Sequence, residues 1–148
     1  MPGPAAAGAR AVDFSAMPPT ESDRREFPRL KRSIPVRYKF LSSTVQDPAM
    51  ERICDGTTQN LSVGGLMLNG PIPRIEWVKD LLIGRMDIGV NLLVPGMETP
   101  TKFLTKVAWI EATDEQAMNM HLGLRILDIP SDHRKVLTDF LIRETAVY

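Results

Sequence analysis

Hydrophobic and polar residues alternate strictly in the segment that begins at residue 34. The apolar side of this segment consists of four bulky residues, Ile34, Val36, Tyr38 and Phe40. The residues between them are Pro35, Arg37 and Lys39. Successive side chains of a strand point to opposite faces, so the pattern predicts a half-buried strand. Its proline lies near the start, where a missing backbone donor does least harm.

Five further runs have strand-like patterns, at about residues 53–61, 66–68, 86–94, 103–110 and 118–127. Trp109 follows Phe103, Thr105 and Val107 on one predicted face, so we expect it in the core. Met118 and Met120 alternate with two leucines and are expected there too. Residues 111–116 are polar and predict a loop.

The last element has helical periodicity. Apolar residues recur as an i, i+1, i+4, i+5 stripe, namely Val136, Leu137, Phe140 and Leu141. We predict a helix over about 131–143, with Ser131 as N-cap and Asp132 near the positive end of the dipole. A short helix or turn is predicted at 74–82. Six short strands followed by one helix indicate a mainly β fold, a six-stranded antiparallel β-barrel with a C-terminal α-helix packed on it.

Composition bounds the class of protein. Residues 1–20 are rich in Pro, Ala and Gly without periodicity, so we expect a disordered N-terminal tail before a single domain over 21–148. Eighteen basic and eighteen acidic residues cancel, so we expect no nucleic-acid partner. We also expect no membrane insertion, because no apolar run is long enough to cross a bilayer. The single Cys54 excludes an internal disulfide and is expected to be buried. With no secretion signal and no long apolar run, we expect a cytoplasmic protein.

Two polar motifs carry the candidate chemistry. The first is Arg24-Arg25-Glu26-Phe27-Pro28-Arg29, in a stretch with seven basic residues and one acidic residue between positions 24 and 39. The second is Asn60-Leu61-Ser62-Val63-Gly64-Gly65. Arginine forks match phosphate oxygens and the acceptor edge of guanine, whereas Asn and Ser oxygens can meet a base's donor edge. If strand geometry persists, Asn60 and Ser62 point to one side, and the glycine pair permits an unusual dihedral or a ligand's close approach.

In this order the motifs resemble the signature of the PilZ domain, the receptor family for the bacterial second messenger cyclic di-GMP. The family pattern is R-x-x-x-R followed by [DN]-x-S-x-x-G. Here Arg25 and Arg29 fill the first motif, and Asn60, Ser62 and Gly65 fill the second. The resemblance also implies the barrel-and-helix fold. It further implies that Arg24, directly before the first motif arginine, helps to hold a second, stacked cyclic di-GMP.

On this resemblance we expect a stand-alone cyclic di-GMP receptor without cofactor or catalysis. The ligand-binding residues would be Arg24, Arg25, Arg29, Asn60, Ser62, Gly64 and Gly65. The partner would be an unidentified effector protein in motility, exopolysaccharide or pilus control. No acid, base or nucleophile constellation can be named, and His121, His133 and Cys54 lack metal-ligand spacing.

Two alternatives remain open at this point. The arginines would otherwise form a solvated basic linker, and Asn60 and Ser62 would be turn formers that bond to their own backbone. The chain would then be a PilZ-like adaptor that no longer binds nucleotide. A barrel binding single-stranded nucleic acid is disfavoured by the few aromatic residues and zero net charge.

Overall fold

Six strands and two α-helices make up the fold. The computed structural model describes residues 30, 32–114 and 119–145. The elements are, in chain order, β1 (Ile34–Leu41), β2 (Cys54–Gln59), β3 (Gly65–Pro71), α1 (Trp77–Leu82), β4 (Asp87–Leu92), β5 (Thr101–Asp114), β6 (Asn119–Asp128) and α2 (Ser131–Thr145). A short 3-10 helix, Pro48–Glu51, lies between β1 and β2 and was not predicted.

The strands close into an antiparallel barrel in the order β1-β2-β3-β6-β5-β4. β1 closes the barrel by pairing with β2 on one side and β4 on the other. The predicted six-stranded barrel with a C-terminal helix is therefore confirmed. The inward face of β1 is the predicted one, with Ile34, Val36, Tyr38 and Phe40 almost fully buried.

Tyr38 joins opposite parts of the barrel. Its ring lies inside, and its hydroxyl donates a hydrogen bond to the carbonyl oxygen of Pro71 at 2.5 Å. Gly56 leaves room for the ring, because a Cβ there would lie 3.1 Å from Tyr38 Cε1 and 2.6 Å from a backbone oxygen. Burial, with smaller effects from nearby Cys54 and Asp55, raises the pKa of the phenol. Tyr38 thus stays neutral and links β1 to the end of β3.

Both helices bury apolar side chains in the core of the barrel. α2 buries Leu137, Phe140 and Leu141, as the stripe predicted. It begins at Ser131, and the amide of Arg134 donates to the carbonyl of Pro130 at 2.8 Å. Pro130 therefore occupies the N-cap position, one residue before the predicted one.

α1 is shorter than the predicted segment at 74–82. It buries Trp77 and Leu81, and the Trp77 ring lies 5.1 Å from that of Phe40. Ile75 and Leu82, two of the apolar residues on which the helix prediction rested, are about half exposed. Trp77 is therefore a core residue. In the described part of the chain, neither helix is long and apolar enough to cross a membrane.

β5 departs most from prediction. It continues to Asp114, so most of the predicted loop at 111–116 belongs to the strand, and residues 115–118 lie outside the described part. Its pairing with β6 shifts between Val107 and Trp109, because both Ala108 and Trp109 occupy the space opposite one residue, Gly123. Such a β-bulge reverses the facing of later side chains. Trp109 consequently lies on the outer face, and its predicted core position is wrong.

Other core predictions are confirmed within the described residues. Cys54 and Met120 are buried, at 5% and 2% exposure. Met118 lies outside the described residues.

Candidate functional site

The second motif forms the loop between β2 and β3. β2 ends at Gln59, and Asn60 has φ 55°, a left-handed conformation that Asn tolerates better than most residues. Strand geometry therefore does not persist through the motif. The loop turns at Asn60, and Asn60 and Ser62 do not share a strand face.

Ser62 holds this loop together. Its Oγ accepts hydrogen bonds from the amides of Gly64 at 3.2 Å and Gly65 at 3.3 Å, and donates to the Gly65 carbonyl at 3.3 Å. The Ser62 amide donates to the same carbonyl at 2.8 Å. A hydroxyl has one donor and two acceptor sites, so this Oγ is fully used. Contact between Oγ and a ligand would require one of these bonds to be exchanged.

Gly64 leaves open space beside the loop. Among the described residues, the glycines with positive φ are Gly84 and Gly96, so neither motif glycine is there for a left-handed backbone. Among the described residues, a Cβ on Gly64 would meet only Ser62 Oγ, at 4.0 Å. Of the two uses predicted for the glycine pair, an unusual dihedral is excluded, and close approach of another molecule is the one that the geometry permits.

The chain that follows the first motif runs directly beside this loop. Leu30 and Leu61 form an antiparallel bridge, with amide-to-carbonyl distances of 2.8 and 2.9 Å. Both side chains are buried. Arg32 forms an ion pair with Glu144 of α2 at 2.5 Å. Leu30 is thus paired with the residue that separates Asn60 from Ser62 in the sequence.

Arg24, Arg25 and Arg29 themselves lie outside the described residues. Arg29 is the residue directly before Leu30 in the sequence. The bridge therefore places Leu30, the residue that follows the first motif, beside Leu61 of the second motif.

The outer barrel face next to the loop has two features that the sequence reading missed. Arg125 on β6 pairs with Gly65, faces outward and is exposed. Two residues earlier, Gly123 pairs with Met67 on one side and Trp109 on the other. The indole covers Gly123, since a Cβ there would collide with the Trp109 ring. The signal for this arrangement was a glycine amid the bulky residues of β6, which marks a close approach.

A concave surface lies on another part of the barrel, away from the second motif. It has a volume of about 380 Å³ on the outer side of β1, β4 and β5. Leu41, Gly89 and Leu104 line it, with Lys39 and Lys102 beside them. None of the second-motif residues lines this depression.

The fold has counterparts among solved structures. The Bacillus subtilis inhibitor of motility, MotI or DgrA, is 18% identical with TM-score 0.55, over 86% of this chain and 56% of that one. The PilZ domain of Escherichia coli YcgR with c-di-GMP is 12% identical with TM-score 0.51, over 82% and 91%. K. pneumonia MrkH, in its c-di-GMP complex, is 12% identical with TM-score 0.53, over 81% and 51%. This chain thus spans about half the length of MotI and MrkH.

At these identities the likeness concerns the fold alone. No curated protein sequence matches the chain. The family model of the PilZ domain matches residues 23–143, a range that includes both motifs. The chain therefore belongs to the PilZ domain family.

Proposed function

We propose that this protein is a bacterial cytoplasmic receptor for cyclic di-GMP, and that its site lies where the two motifs meet. The observation that carries the proposal is the Leu30–Leu61 bridge, which joins the residue after Arg29 to the centre of the second motif. Without that contact, nothing would relate the arginine motif to the second motif in space. With it, cationic and polar groups can meet one ligand.

The proposed roles follow the chemistry of each side chain. Arg25 and Arg29 grip phosphate oxygens and the acceptor edge of guanine, because a guanidinium presents paired donors. Asn60 offers an amide to the base, and the open side of Gly64 admits the ligand. Ser62 contributes mainly by fixing the loop, since its Oγ is already bonded to Gly64 and Gly65. Arg24 holds the second ligand of a stacked pair.

Ligand binding would also change the surface that the protein presents. Arg25 and Arg29 precede a segment that is tied to the loop by Leu30 and to α2 by the Arg32–Glu144 ion pair. A ligand held by these arginines would tie residues 24–29 to the barrel as well. The new surface would then recruit or release an effector protein. Equal protease protection of residues 10–32 with and without ligand would contradict this mechanism.

One observation favours a second function. Because Ser62 Oγ is used entirely within the loop, the second motif can be needed for the fold alone. The chain would then be a PilZ adaptor that acts through protein contacts and binds no nucleotide. Binding experiments separate the two functions directly.

The test is calorimetric titration of the full chain with cyclic di-GMP, alongside Arg25→Ala and Asn60→Ala. A charge-assisted hydrogen bond contributes roughly 1.5–3 kcal/mol, so Arg25→Ala should weaken binding by about tenfold to more than a hundredfold. Two ligands per chain, falling to one in Arg24→Ala, would support the stacked pair. A folded chain that binds no cyclic di-GMP would leave the adaptor function in its place.

A further inference from the structure

We infer that Arg125, on β6, is a further ligand-binding residue of this site and holds a phosphate of the ligand that lies over Gly64 and Gly65. The inference rests on the proposed function and extends it to a strand that neither motif includes. Its basis is the register of β3 and β6, in which Arg125 is the direct partner of Gly65. Directly paired residues of antiparallel strands have Cα atoms about 4.5–5.5 Å apart.

The two glycine amides of the loop are already bonded within it. Glycine-rich loops often hold phosphate through their backbone amides. Here the amides of Gly64 and Gly65 both donate to Ser62 Oγ, at 3.2 and 3.3 Å. A phosphate beside Gly65 therefore needs a side-chain donor, and Arg125 is the cation that the register places there.

The neighbours of Arg125 favour an anion. Its partners across the sheet are Gly65 and Lys106, and the outward residues before and after it on β6 are Gly123 and Leu127. None of these described neighbours is acidic, and the Arg125 side chain is exposed. The Lys106 ammonium lies over Gly84, in the turn after α1. Of the two described cations on this part of the sheet, Arg125 is therefore the one beside Gly65.

The chemistry required matches that of a cyclic dinucleotide. Such a ligand carries two phosphodiesters, and the second motif has no charged residue of its own. The motif arginines precede Leu30, which bridges Leu61, whereas Arg125 lies on β6 opposite Gly65. The two phosphates would then be held by guanidinium groups from different parts of the chain.

The experiment compares cyclic di-GMP titrations of the unchanged chain, Arg125→Ala and Arg125→Lys, each at low and high salt. The control is Arg37→Ala, because Arg37 is also an exposed strand arginine but its partner Asp55 lies five residues before Asn60. We expect Arg125→Ala to bind about tenfold more weakly and with a smaller salt dependence. Arg125→Lys should recover part of the affinity, since it keeps the charge but not the fork. Arg37→Ala should bind like the unchanged chain.

Affinity of Arg125→Ala within about twofold of the unchanged chain, or an equal loss in Arg37→Ala, would overturn the inference while leaving the receptor function intact. Lack of binding by the unchanged chain would remove the receptor function, and this inference with it. Arg125 is exposed, so the variants should fold, and thermal unfolding checks this. If Arg125→Ala unfolds, the salt dependence of Arg125→Lys and Arg125→Gln decides the question, because a purely structural role would leave it unchanged.

Discussion

Replacing Ser62 by alanine tests whether this serine organises the loop. Its Oγ bonds to the amides of Gly64 and Gly65 and to the Gly65 carbonyl. Gly64 is exposed, so water can satisfy its amide after the change, and the Gly65 carbonyl keeps its bond from the Ser62 amide at 2.8 Å. The Gly65 amide is buried and would lose its partner.

The expected cost follows from that one amide. A buried donor left without a partner costs about 1–3 kcal/mol, and the retained bond to the Gly65 carbonyl places the loss in the lower half of this range. We therefore expect the free energy of unfolding to fall by about 1–2 kcal/mol. At this chain length the unfolding midpoint should drop by about 2–8 °C.

Urea unfolding followed by circular dichroism measures the change. Ser43→Ala is the matched control, because Ser43 is exposed and lies between β1 and the 3-10 helix; it should change stability by less than about 0.5 kcal/mol. An Ser62→Ala chain as stable as the unchanged one would refute the loop role. In that case Ser62 would be available to a ligand, and its variant would lose affinity without losing stability.

Three further changes probe other parts of the account. Gly64→Ala should change the free energy of unfolding by less than about 0.5 kcal/mol, because among the described residues its Cβ meets only one atom, at 4.0 Å. It should nevertheless weaken cyclic di-GMP binding in calorimetry. Unchanged binding would mean that the ligand does not approach Gly64. Gly123→Ala should cost about 1–3 kcal/mol, because the new methyl collides with Trp109, and should shift tryptophan emission to the red; an unchanged spectrum would contradict the packing of the indole over Gly123. Hydrogen bonds from the Ala49 amide and then from Arg74 lower the pKa of Asp47 in the folded state. The ionised carboxylate therefore stabilises the fold at any pH above its unfolded pKa. This contribution is lost as the pH falls through the lowered folded pKa. Asp47→Asn should therefore be less stable than the unchanged chain at pH 7, and the difference should shrink as the pH falls through the lowered folded pKa of Asp47 in urea titrations. A difference that stays constant as the pH falls would be evidence against this role.

The barrel could be predicted because alternating apolar and polar residues in the sequence indicate which face of a strand is buried. β1 is the clearest case, since its four predicted core residues are all inside. The bulge at Ala108 left no such record, because one inserted residue changes the register without changing composition. Alternation carried past it assigned Trp109 to the wrong face.

The sequence motifs supplied candidate residues for the site but not the geometry of the loop. The motif pattern marked Asn60 and Ser62, and extending the strand through them missed the left-handed Asn60. The contribution of Arg125 depends on the pairing of β3 with β6, a contact between positions sixty residues apart. Local pattern contains no information on that register. The bridge between Leu30 and Leu61 was hidden for the same reason.

The most direct test of the central claim is an NMR titration of the ¹⁵N-labelled full chain with cyclic di-GMP. The account predicts saturable shifts of the amides of Leu30, of residues 60–65 and of Arg125, which surround the proposed site. The amide resonances of Leu41, Gly89 and Leu104, which line the separate depression on the barrel, should not shift. Shifts confined to that depression, or no shifts with a folded chain, would contradict the claim that the two motifs form one cyclic di-GMP site.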